Sequence, residues 1–451
     1  MKSVSIYLGG LTAVALLTAS MYLLSVEITY ALMAGLILFL FSFFHLHWAV
    51  CALIFLMPFN LQVIPLNIQF LNSVPELLMF LIFIVFILKV VFDQIHLKKS
   101  VVFIPVGLFI LSVLFSLLRA RLIDYSQLYY QFSVILLFFI VISIARKQAI
   151  INRIILSMVL STFIVSLTAV IQFVLKENPL LFSFVFGNEA GSILLPDGLY
   201  RSIGSFGQAN ALGGFLLLSL PFFILLFRNR LGAKFWIIAA MMFFIVLALF
   251  STLSRSAIFG LGTMTLTYLF FGSKRKSKIK VAMSGLLILF LFLSLFPDLI
   301  ETIKLRFSNL LAGEFDSHVV RFVLYQAAVE MFESSPLFGV GFGNFIVSQD
   351  ILEVRGAHNI FLNILAELGL FGLLSFLAIQ VSVLKNNFKS LRQEKSGVTP
   401  TISLCCNLSI IGFLAAGLFD SLLHSFAISL YFWMIFAVSV SATSLRKEEG
   451  R

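Results

Sequence analysis

Residues 355–372, RGAHNIFLNILAELGLFG, open an apolar run on His358 and Asn359 and carry Asn363 and Glu367 into it. Asn359, Asn363 and Glu367 recur every four residues, so a helix presents them as one polar stripe. Polar side chains in a bilayer are costly unless they line a hydrated cleft or meet a partner. Histidine titrates closest to neutrality of all side chains, so His358 is a candidate to take a proton from a hydroxyl group. In the first turn of a helix, the partial positive charge there would favour its neutral form. The bland alternative is that His358 and Asn359 cap the helix at headgroup level. Arginines stand at comparable places: Arg201 before SIGSFGQANALGG, Arg255 in STLSRSA, Arg321 in RFVLYQAAVEMF and Arg355 before the histidine. Guanidinium groups suit phosphate through paired, charge-assisted hydrogen bonds, although each one singly is also an ordinary interfacial anchor.

Membrane helices must position these groups. The chain has 451 residues, 61% hydrophobic and 11% charged, with mean hydropathy +1.09. Soluble domains carry about 25% charged residues, and repeated apolar runs of about 20 residues mark membrane spans. An all-α polytopic membrane protein of about 12–14 transmembrane helices is expected, without the strand alternation of a barrel. Spans are expected at 5–24, 30–44, 48–64, 76–92, 101–118, 127–145, 154–175, 208–227, 235–252, 256–272, 281–297, 358–384, 401–422 and 426–444. The first run, after Lys2, is expected to be a retained span rather than a signal peptide.

With the N-terminus in the cytoplasm, 22 of the 31 Lys and Arg residues fall in or near the short cytoplasmic segments. Of the 20 acidic residues, 16 fall outside or near the outer edge. The positive-inside rule therefore predicts both termini in the cytoplasm of a cell-membrane protein. The net charge of +11 then reports topology, not nucleic-acid binding. No Walker loop is present, and the cytoplasmic loops leave no room for a nucleotide domain. Cys51, Cys405 and Cys406 lie in apolar stretches without metal-ligand spacing and are expected as buried small hydrophobes.

The chain divides into N-terminal helices (1–175), central helices with an outer loop at 176–207 (176–297), a large outer loop (298–357) and C-terminal helices (358–451). In the large loop, Val320, Val323, Leu324, Ala327, Ala328 and Met331 fall on one helix face. Asp316 or Ser317 would cap its start, and Ser334-Ser335-Pro336 would end it. An amphipathic helix lying at the outer membrane surface is expected, with a lid packed on the bundle as the alternative. Gly339, Gly341 and Gly343 follow, a pattern that permits tight turns and close backbone approach to a ligand.

Four stretches, RSIGSFGQANALGG, STLSRSA, RFVLYQAAVEMFESSPLFGVGFGNF and AHNIFLNILAELGLFG, resemble the bacterial O-antigen ligase/polymerase family of polytopic membrane glycosyltransferases. The resemblance covers roughly residues 200–375; the first 175 match only in hydropathy. It implies a glycosyltransferase-C-like fold, an undecaprenyl-diphosphate-linked glycan donor, and neither nucleotide sugar, cofactor nor metal. Carried over by motif, Arg201, Arg255 and Arg321 would hold the diphosphate, His358 would activate the acceptor hydroxyl, and Asn359 could orient the imidazole or the acceptor. Asn210, Tyr325, Gly341, Gly343, Asn363 and Glu367 would support the site. The family often has Asn-Pro-Asn where this chain has Gln208-Ala209-Asn210, and Trp where Tyr325 stands, which loosens assignment to a subfamily.

The function expected is polymerisation of lipid-linked repeat units of a surface polysaccharide such as teichuronic acid, capsule, exopolysaccharide or O-antigen. A ligase moving the finished glycan to an acceptor glycan or lipid is the alternative, and other polysaccharide-assembly proteins are candidate partners. A flippase or transporter for the same lipid predicts charges lining a cavity from both sides, whereas mid-span charges here are few. A peptidoglycan polymerase of the shape and division class would rely on an outer-loop aspartate; Asp316 and Asp350 are present, but the His-Asn motif favours the first family.

Overall fold

The computed structural model describes residues 26–59, 61, 73–95, 100–176, 192–194, 200–227, 233–272, 294, 316–349, 352–393 and 397–449. The expected span at 5–24, and that at 281–297 but for residue 294, lie outside the described residues. The first helices are α1 (Val26–Phe44), α2 (Leu46–Leu56), α3 (Val74–Val91), α4 (Phe103–Leu117), α5 (Tyr125–Ile144) and α6 (Gln148–Leu175). A hairpin of β1 (Ser192–Leu194) and β2 (Tyr200–Ser202) precedes α7 (Ala209–Ser219), α8 (Phe223–Phe227), α9 (Ala233–Ser251) and α10 (Arg255–Phe271). Then come α11 (Asp316–Ser334), the antiparallel hairpin β3 (Ile346–Gln349) and β4 (Leu352–Arg355), α12 (Ile360–Gln393), α13 (Val398–Ala416) and α14 (Phe426–Glu449).

The fold is that of an all-α polytopic membrane protein. Seven helical segments among the described residues are long and apolar enough to cross a membrane, and four apolar helices are shorter. Two small hairpins are the strands among the described residues. The main core is a large apolar cluster in which α14 is the most enclosed of the seven long segments, and a second, small cluster lies under α11. Cys51, Cys405 and Cys406 are free and buried in it.

Small residues allow the close approaches on which such a bundle depends, because lipid gives apolar side chains no hydrophobic reason to prefer one another. A Cβ on Gly213 of α7 would stand 2.6 Å from the Ala257 Cβ of α10. That contact sets the start of α7 against the start of α10.

Three expectations are corrected. First, α12 is not one uninterrupted span. Gly369 breaks it at φ 65°, ψ −167°, a conformation open essentially to glycine alone. The break is filled by protein: Ala366 O and Glu367 O accept from the Val340 and Gly341 amides at 2.9 and 3.1 Å. The Leu370 and Phe371 amides donate to Pro336 O and Leu337 O at 2.8 and 3.2 Å. Irregular backbone at membrane depth persists only where its polar groups are satisfied in this way. The glycines of PLFGVGFGNF thus make their closest approach to protein: a Cβ on Gly339 would meet the Glu367 carbonyl carbon at 2.2 Å, and one on Gly341 would meet Ala120 at 2.6 Å.

Second, the apolar face of α11 is covered by protein, as in the packed-lid alternative. Leu324 and Ala328, with Val320, Ala327 and Met331 beside them, pack on Phe345, Ala357 and Ala366, so the hairpin region and the first half of α12 cover that face. Third, α13 ends at Ala416 and not at residue 422, with Gly417 at its C-cap position. The chain beyond it turns before α14, which frees Asp420 from the expected span.

Candidate active site

His358 is not in the first turn of α12. Asn359 is the residue before Ile360 and acts as the cap: its Oδ1 accepts from the Phe361 and Leu362 amides at 2.9 and 3.1 Å. Its Nδ2 donates to Leu418 O at 3.0 Å, and the Ile360 amide donates to Gly417 O at 2.8 Å. These bonds fasten the start of α12 to the end of α13. His358 sits one residue outside, at φ 49°, a left-handed conformation uncommon for a non-glycine residue. Asn359→Ala removes the cap, for which about 1 kcal/mol of stability is expected to be lost. Thermal unfolding of the detergent-solubilised variant checks this.

The loop after α13 brings Asp420 against the histidine. His358 Nδ1 lies 3.2 Å from Asp420 Oδ1, which also accepts from the Ser421 amide at 2.8 Å. The other carboxylate oxygen, Oδ2, accepts from Asn210 Nδ2 of α7. Asn210 Oδ1 in turn accepts from an Arg201 terminal nitrogen at 3.0 Å, and Arg201 Nε donates to Thr252 O at 2.8 Å. A continuous polar chain therefore runs Arg201, Asn210, Asp420, His358.

The histidine side chain is 39% exposed, the aspartate side chain 10%. The imidazole faces outward from a buried carboxylate, as a proton acceptor must. With Nδ1–H donating to the carboxylate, the ring is oriented and Nε2 keeps its lone pair. Burial alone would raise the Asp420 carboxyl; the hydrogen bond and charge of His358, with Asn210 and the Ser421 amide, outweigh it and hold the group below its usual value. A carboxyl depressed in the folded state contributes stability that is complete above its unfolded value, about pH 4, and disappears as pH falls through the folded value. In acid titrations followed by intrinsic fluorescence, Asp420→Asn is therefore expected to lack that component, and its deficit against wild type to shrink below about pH 4.

Arg255 is delivered by a tight turn. Leu253 takes φ 48°, the Ser254 amide donates to Thr252 Oγ1 at 3.2 Å, and Ser254 Oγ caps α10 by accepting from Ala257 N at 3.3 Å. Arg255 is then the exposed first residue of α10, three positions from the carbonyl that holds Arg201. Arg321 and Tyr325 are half-buried on α11, and no described contact joins either to the chain of polar groups. Asn363 and Glu367 are each 5% exposed. Asn363 Oδ1 accepts from Ala357 N at 3.1 Å, and Glu367 Oε1 from Phe345 N at 3.3 Å. The polar stripe thus fixes the backbone on either side of the β3–β4 hairpin. Gly343, at φ 74°, lies over the start of α5, where Asp124 is 3.6 Å from its projected Cβ.

Asp420 was not among the residues that the sequence singled out. Its signal was present: one carboxylate in the apolar stretch AAGLFDSLLHSF, at the same expected membrane face as His358. Among the described residues, no three His, Cys, Asp or Glu side chains converge on a common point that could hold a metal ion.

Residues 240–377, under a third of the chain, match the family model of the O-antigen ligase domain, Wzy_C. No curated protein matches the chain. The matched segment contains three of the four stretches on which the resemblance rests, those around Arg255, Arg321 and His358; the stretch with Arg201 and Asn210 lies before it. Over this segment, carried on an all-helical membrane fold, the chain is similar to the O-antigen ligase domain.

Proposed function

We propose that the protein polymerises undecaprenyl-diphosphate-linked glycan repeat units of a cell-surface polysaccharide on the outer face of the cytoplasmic membrane, with both termini inside. The observation that carries this reading is the polar chain from Arg201 through Asn210 and Asp420 to an accessible His358. His358 Nε2 takes the proton of an acceptor hydroxyl while that oxygen forms its bond to the anomeric carbon. The bond from the anomeric carbon to the diphosphate oxygen breaks, its electron pair stays on the diphosphate, and configuration inverts. Asp420 holds the ring and stabilises the imidazolium as it forms. Arg201 and Arg255, with Arg321 where α11 faces the substrate, stabilise charge that grows on the leaving diphosphate more than charge already present in the ground state. The bond energy arrives with the lipid, so the step requires no nucleotide.

Gel analysis of the glycan product tests the polymerase reading. Protein in lipid vesicles, supplied with one undecaprenyl-diphosphate oligosaccharide, is expected to give a ladder of lengths with release of undecaprenyl diphosphate. A single product, formed only when a chemically different acceptor is added, would make the protein a ligase. Movement of the lipid across the bilayer without any release would make it a transporter.

A further inference from the structure

Beside the polar chain lies a cleft between α5, the first half of α12 and the segment leading into β3. Its cavity volume is about 80 Å³, room for several ordered waters or one sugar ring, and it opens in part to the outside. Asp124, Gln127, Gln131 and Glu367 supply carboxylates and carboxamides to its wall, and Phe342 and Tyr130 supply rings. Gln131 Nε2 is buried and has no hydrogen-bond partner among the described residues. Polar atoms so placed are ordinarily partnered, and a rotation of the half-buried Gln131 side chain would bring this donor to something held in the cleft.

The lining selects among ligands. A diphosphate is disfavoured because the one arginine or lysine among the lining residues, Arg355, is already paired to Asp124 at 3.4 Å. An acyl chain is disfavoured by the density of polar groups. A pyranose ring satisfies both kinds of wall: its hydroxyls donate to carboxylates, exchange hydrogen bonds with carboxamides, and its C–H face packs on aromatic rings.

The position of the cleft then assigns a role. Arg201, Asn210 and Asp420 approach His358 from the side of α7 and the loop after α13. The cleft begins beside the histidine: a Cβ on Gly356, two residues before it, would meet His424 at 2.9 Å and Asn363 at 3.2 Å, and both of these line the cleft, whereas Arg201, Arg255 and Arg321 do not. In an inverting displacement the acceptor approaches opposite the leaving group, so a diphosphate held by those arginines leaves this cleft to the acceptor. We propose that the cleft is the acceptor subsite, taking an uncharged, hydroxyl-rich pyranose of the incoming glycan. This rests on the transferase reading above.

Two measurements test it on the full-length protein in vesicles. In transfer kinetics, Gln127→Leu and Gln131→Leu are each expected to raise KM for the acceptor roughly three- to tenfold, the effect of one or two lost hydrogen bonds, without a matching rise in KM for the donor. In saturation-transfer NMR, the methyl glycosides of glucose, galactose and N-acetylglucosamine serve as probes. At least one is expected to receive saturation from the wild type, to lose it in Gln131→Leu, and to keep it when inorganic pyrophosphate is added. Unchanged acceptor KM in both variants of an active enzyme, or displacement of the glycoside by pyrophosphate, would overturn the acceptor subsite while leaving the transferase reading intact. Glycoside binding by a wild type that transfers nothing would instead contradict the transferase reading and, with it, the acceptor role.

Discussion

Replacing His358 by asparagine is expected to lower glycan transfer by about 10²–10⁴-fold, the usual contribution of a positioned general base. Asparagine is the appropriate replacement because it tolerates the positive φ of this position better than alanine does. The variant should therefore remain folded, with the cap of α12 at Asn359 intact. Asp420→Asn is expected to lose a comparable factor for a different reason. A carboxamide presents its NH2 or its oxygen to Nδ1, so the tautomer with a free Nε2 lone pair is no longer enforced, and the forming imidazolium has no anion beside it. For both variants the loss should fall mainly on kcat, because neither residue holds the diphosphate. Steady-state kinetics with the donor varied at fixed acceptor separates the two parameters. A rise confined to donor KM would place His358 among the binding groups instead.

The second large effect concerns the fold. Gly369→Ala is expected to prevent accumulation of correctly assembled protein, or to cost more than about 3 kcal/mol. The conformation at φ 65°, ψ −167° is closed to residues with a Cβ, and the added carbon would stand 2.4 Å from the Leu337 carbonyl carbon and 2.5 Å from its oxygen. The damage would spread, because Pro336, Leu337, Val340 and Gly341 bridge the broken helix through four backbone hydrogen bonds. The segment they anchor continues through Phe345 to the β3–β4 hairpin and on to His358. Gly262→Ala, on an exposed face of α10 with open space around the projected Cβ, is the control and is expected to be neutral. Size-exclusion profiles of fluorescently tagged protein distinguish the two.

These two results also mark what the sequence could and could not disclose. Length, hydropathy and apolar runs were enough for an all-helical membrane protein, since a bilayer leaves the backbone few other ways to satisfy itself. The break at Gly369 was hidden because AELGLFG reads as a continuous helix: glycine is tolerated in membrane spans, and the partner segment, Pro336–Gly341, is recognised only when its amides are seen against Ala366 and Glu367. The apolar face of α11 was correctly located, but periodicity cannot say whether lipid or protein covers it. At the site, the polar run beginning at His358 was legible because polar groups in an apolar run are conspicuous. Asp420 was not, because its pairing with His358 spans 62 residues and depends on where α13 ends. Asn359 was read as a catalytic neighbour of His358, whereas its side chain is occupied by the Phe361 and Leu362 amides and Leu418 O.

The most direct test of the central claim is the rate of undecaprenyl diphosphate release from a lipid-linked oligosaccharide, measured in vesicles with and without acceptor glycan, for wild type and His358→Asn. Release that depends on acceptor and falls by at least about 10²-fold in the variant is the predicted result. Release that proceeds at the wild-type rate in His358→Asn, with the protein folded and correctly inserted, would contradict it.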